Sequence, residues 1–155
     1  MPPIIPAAAA LLVAASSASA HHGFTGRYDV SAPLWVEGEV VRAYFGRPHA
    51  EIAIRTAPDL SPPVQTPEIG AGRDVIDPGA LAVRDDTRGR EVEVELPPLR
   101  MFFDLGRRVA VGDRIAVIAF RNCEAPHQLR GQWVRPADGP PVVRGGTVQY
   151  QVRGC

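Results

Sequence analysis

Residues 91–96 read Glu-Val-Glu-Val-Glu-Leu, with charge and hydrocarbon alternating at a period of two. Only an extended chain sends successive side chains to opposite faces. A segment of this kind therefore buries one face as a β-strand and has no coherent face to bury as a helix. The same alternation sets Leu34, Val36, Gly38 and Val40 against Trp35, Glu37 and Glu39, and Ile52 and Ile54 against Glu51 and Arg55. Residues 115–120 are apolar on both faces, as a central strand requires, and follow a Gly112-Asp113 turn. Leu129, Gly131 and Trp133 form a fifth pattern, and Val148, Tyr150 and Val152 a sixth. On this reading Trp133 belongs to the barrel core, and Glu91, Glu93 and Glu95 form a solvated strand face.

Helix signals are few. Asp77-Pro78 supplies an N-cap and a first helical residue for a short turn through Val83, and residues 98–105, closed by Gly106, form a second. A Pro-rich stretch at 57–80, most irregular over 57–72, reads as a surface excursion. Strands separated by turns, with a helix between the third and fourth, predict an all-β domain with one or two short helices. The best fit is an OB-like barrel of five to six strands, and the competing arrangement is a β-sandwich. Gly38 falls where such a barrel bends its long first strand.

The N-terminus sets the compartment. Residues 4–15 are apolar, and Ser16-Ser17-Ala18-Ser19-Ala20 ends in the small-x-small pattern of a cleavage site, although no Lys or Arg precedes the apolar run. This predicts a signal peptide at 1–20, cut between Ala20 and His21, and a single domain at 21–155 that is periplasmic or secreted. The apolar stretch is too short for a membrane span, and no later segment qualifies. In an oxidising compartment the two cysteines, Cys123 and Cys155, are expected to form one disulfide; free thiols acting as soft metal ligands are the alternative.

The chain holds no lysine, and its seventeen Arg balance seventeen acidic residues. Zero net charge together with export argues against nucleic acid as a partner. Residues 100–155 are locally basic, which leaves room for an anionic partner there. There is no triad-like Ser/His/Asp order, no phosphate-binding glycine loop, and no general base with an orienting partner. The chain is therefore not read as an enzyme.

The four histidines carry the chemistry. His21 and His22 begin the expected mature chain, while His49 follows Pro48 and His127 follows Pro126. In an OB barrel the first–second and fourth–fifth loops lie side by side at one rim, so both Pro-His pairs are expected there. An N-terminal His chelates a metal through its amine and its ring, and further imidazoles complete a nitrogen-rich set. That chemistry favours copper, with zinc as the alternative. The bland reading is an inert terminus and loop histidines that merely satisfy backbone carbonyls. The competing function is a non-catalytic OB-type module that holds a protein or glycan partner at the same rim.

His21-His22-Gly23-Phe24, Tyr28-Asp29, Pro33, Val36-Glu37-Gly38-Glu39-Val40 and Arg47-Pro48-His49-Ala50 resemble a family of small exported bacterial proteins without an assigned activity. Their mature chains begin His-His-(Ser/Gly)-(Phe/Trp) and carry an Asn-Pro-His motif. The resemblance covers about residues 20–56 and returns weakly at residues 111–115. Arg47 stands where the family usually has Asn, and the middle of this chain is longer and richer in Pro. The resemblance implies a periplasmic domain and draws attention to the His-His and Pro-His positions.

Overall fold

The computed structural model describes residues 26–155. The expected signal peptide, its cleavage point, and His21 and His22 lie outside the described residues. Strands run β1 (Tyr28–Tyr44), β2 (Ala50–Thr56), β3 (Glu91–Leu96), β4 (Arg114–Asn122), β5 (Leu129–Pro136), β6 (Val142–Val143) and β7 (Gln151–Val152). Helix α1 (Arg100–Phe103) lies between β3 and β4, where the OB reading puts a helix. The strand order β2-β3-β5-β4-β1 closes through β1–β2 pairing into a five-stranded barrel. A closed barrel of this order excludes the sandwich. The β3–β5 seam is parallel and short: Val94 pairs with Leu129 and Glu95 with Arg130.

One face of each alternating strand fills the interior. Val36, Val40, Ile52, Ile54, Val94, Leu96 and Val117 pack together there, and Phe102 and Leu105 join them from the segment after β3. Burying each such side chain contributes about 1.5–3 kcal/mol. Gly38 is needed where β1 and β2 close on one another. A Cβ at that position would lie 2.1 Å from the Arg55 carbonyl oxygen, and the β1–β2 register shifts just beyond, between Val40 and Arg42.

A second apolar cluster sits outside the barrel. Val30, Trp35, Ile118, Phe120 and Trp133 face outward and are covered by Leu60, Ile69, Val75 and Ile76. The excursion is irregular, with 3-10 turns at Gly70–Asp74, Pro78–Ala80 and Asp85–Thr87, but it is a cover and not merely surface. Trp133 is buried in this outer cluster rather than in the barrel interior. The cause is a bulge: Ala119 pairs with Gly131 but Ile118 with Trp133, so Gln132 is an extra residue that flips the alternation. Gly131 takes the inward place, where a Cβ would lie 2.6 Å from Leu96.

The minor elements are shorter than the sequence suggests. Asp77 does cap, accepting from the Gly79 N–H at 2.9 Å, but the turn it starts ends at Ala80. Helix α1 continues as a 3-10 turn over Asp104–Arg107, so Gly106 lies within that turn and does not close it. The last strand is only Gln151–Val152, parallel to the start of β1. Cys123 and Cys155 are joined in a disulfide, which removes the free-thiol alternative. No helix among the described residues is long and apolar enough to cross a membrane.

Candidate functional site

The β1–β2 loop and the β4–β5 loop meet at one end of the barrel. Between them lies a cleft of about 500 Å³. His49, Glu51, Glu93 and Glu95 form one wall; Asn122, Glu124, Ala125, Pro126 and Gln128 form the other. The period-two rule explains the first wall. Ala50 and Ile52 point into the barrel, so the flanking His49 and Glu51 point out of it.

Glu95 anchors the site. Its side chain is nearly as buried as that of Arg130, which donates to it from the opposite strand. Gln128 also donates to Glu95, and the Tyr28 hydroxyl donates to Gln128 Oε1 at 3.2 Å. The Arg130 guanidinium lies over two rings, 5.2 Å from the Tyr28 centroid and 5.4 Å from that of Tyr150. The C-terminal tail thus roofs the ion pair. It is held by the Tyr28 N–H bond to the Tyr150 carbonyl, the β7 pairing and the disulfide. Burial pushes the Tyr28 phenol above its ordinary value, although Arg130 pulls the other way.

His49 is almost fully buried at the edge of this network. Its Nδ1 lies 3.4 Å from Glu95 Oε1. The Glu95 carboxylate thus stands beside the His49 ring at the edge of the cleft. Glu51, Glu93 and Glu124 add carboxylates to the same cleft.

His127 takes a different direction. It adopts a left-handed backbone (φ 61°), and its Nδ1 lies 3.0 Å from the Asn122 carbonyl, which accepts when that nitrogen carries the proton. It lines an adjoining hollow with Arg84, Asp86 and Arg121. Pro126 borders both hollows. The structure therefore brings His49 and the β4–β5 loop to one rim but does not put His49 and His127 in one hollow. Among the described residues no group of three or more His, Cys, Asp or Glu side chains is disposed to hold a metal ion.

The chain enters the barrel beside the same cleft. Tyr28 pairs with Asn122, and the Cys123 N–H donates to the Arg27 carbonyl at 2.7 Å. Gly26 (φ +112°) packs so closely that a Cβ there would lie 2.4 Å from the Asn122 side chain. His21 is five residues before Gly26, at most about 18 Å of extended chain.

Sequence patterning did not single out Glu95, Arg130, Gln128, Tyr28 or Tyr150 for this site. Glu95 sits in the row read as solvated, and that reading holds only for Glu91 and Glu93, which pair in the open with Arg42. The usable signal was Arg130, a charge set between Leu129 and Gly131 inside a strand that is otherwise poor in charge. No protein-family model matches the chain, and no curated protein matches it.

Proposed function

We propose that this is an exported, periplasmic β-barrel that binds a metal ion, copper in preference to zinc, at the rim holding His49. The observation that carries the reading is His49 itself: an imidazole backed by the buried Glu95 carboxylate, lining an acidic cleft beside the point where the N-terminal arm joins the barrel. In this reading the freed α-amine and ring of His21 chelate Cu(II), and His49 supplies a further nitrogen. His22 is an alternative arm ligand, and His127 is a second rim imidazole across Pro126. Nitrogen-rich ligation of this kind suits Cu(II) above other divalent ions. The cleft carboxylates lower the potential felt by an entering cation.

The test is calorimetric titration of the mature chain, starting at His21, with Cu(II), alongside its electron paramagnetic spectrum. One equivalent should bind with a tetragonal, nitrogen-rich signature. One alanine added ahead of His21, and separately His49→Ala, should each weaken binding by about tenfold or more. Equal affinity for the native and blocked N-termini refutes the amine chelate. Failure of the native chain to take up copper removes the metal reading altogether and leaves the rim to a protein or glycan partner.

A further inference from the structure

A second pocket opens on another face of the molecule, where the excursion folds over the start of β1 and the C-terminal tail passes alongside. Its volume is about 460 Å³, within the range of small-molecule sites. The floor is hydrocarbon: Val30, Ile69, Val75 and Ile76, all buried. Arg73, from the 3-10 turn, and Arg153, from the tail, also line it. These two guanidiniums come from segments 80 residues apart, and neither has an ion-pair partner among the described residues.

No nearby carboxylate is in ion-pair contact with either guanidinium among the described residues. Asp29 Oδ1 accepts from the Ser31 N–H (2.8 Å), the Ser31 hydroxyl (2.6 Å) and the Gly154 N–H (2.8 Å). Asp77 Oδ1 is taken by the Gly79 N–H at 2.9 Å. Asp74 also stands on the pocket wall.

We infer that this pocket binds a small molecule that joins a carboxylate to a compact apolar body. The two arginines on the pocket wall supply charge-assisted donors for the carboxylate, and the floor takes the hydrocarbon. Asp74 and Asp77 leave two sources of that chemistry to separate: a simple branched carboxylate, or an apolar amino acid whose ammonium these acids receive. The site shares no lining residue with the histidine cleft, so its test is independent of copper.

Amide spectra of the mature protein, isotopically labelled, are recorded against 4-methylpentanoate, L-leucine and 3-methylbutylamine, the last carrying an apolar body but no carboxylate. Saturable shifts are expected at Val30, Ser31, Ile69, Arg73, Ile76 and Arg153 with one or both carboxylates and not with the amine. Tighter binding of L-leucine identifies the amino acid as the source; tighter binding of 4-methylpentanoate identifies the simple acid. R73Q/R153Q should keep a dispersed spectrum and lose affinity by about tenfold or more. The inference is overturned if neither carboxylate saturates these positions, if the amine does so equally, or if the folded double variant binds as the native protein does.

Discussion

Glu95 on β3 and Arg130 on β5 are direct cross-strand partners, and their ion pair is sealed inside the molecule, with 8% and 2% of the side chains exposed. The pair sits on the short parallel seam that closes the barrel, beneath Tyr28 and Tyr150, and its carboxylate also faces His49. One ion pair therefore joins barrel closure, the C-terminal tail and the histidine cleft.

Breaking this pair from one side strands the other charge in a dry site, which costs about 3–5 kcal/mol. Glu95→Leu and Arg130→Met should each lower urea stability by that order. The double variant E95L/R130M should lose less than the sum, because no buried charge is left alone. Additive losses in the cycle contradict the pairing.

The tail depends on its tether. The disulfide spans a sequence separation of 32 residues, and closing such a loop stabilises by about 3–4 kcal/mol on the chain-entropy model. C123S/C155S should show a loss of that size. Amide exchange should accelerate first at residues 150–154, the segment that the disulfide ties down at its end. Unchanged exchange there means the tail is fixed without its disulfide.

Tyr28 gives an alkaline signature. Its phenol is raised above the ordinary 10.0, chiefly by burial. The folded chain therefore keeps the Tyr28 proton to a higher pH than the unfolded chain. This stabilisation is complete below pH 10.0 and is lost as pH rises through the folded value. Phenolate absorbance should show one tyrosine titrating late, and Tyr28→Phe should remove that component together with its share of the alkaline loss of stability. A late component surviving in Tyr28→Phe assigns it elsewhere.

Much of the barrel was legible because its strands obey a local rule. Alternation at residues 34–40, 52–54 and 91–96, the double apolar face at 115–120, and a helix placed before β4 marked an all-β domain and favoured a barrel, while the strand order and its closure came from the tertiary structure. The rule broke at Gln132, where one inserted residue sent Trp133 outward. It was also silent on β6, a two-residue pairing that no periodicity can mark. The Pro-His positions pointed to one end of the barrel, but the hollow each ring faces is set by backbone turns that composition does not encode; His127, at φ 61°, is the plain case.

By itself the sequence determined where the five barrel strands run and, up to the bulge at Gln132, which of their faces lines the interior, because side-chain alternation is dictated by the extended backbone. Only the tertiary structure decided which outward-facing residues stay dry. Glu95, Arg130, Trp35 and Trp133 all leave the barrel on its outer side. They are buried because the tail, the excursion or an opposing strand, 35 or more residues away in the cases of the Glu95–Arg130 pair and of Trp133 with Glu68, comes to lie over them. The burial of an outward-facing side chain depends on the segment that covers it, and local pattern carries no information about that segment.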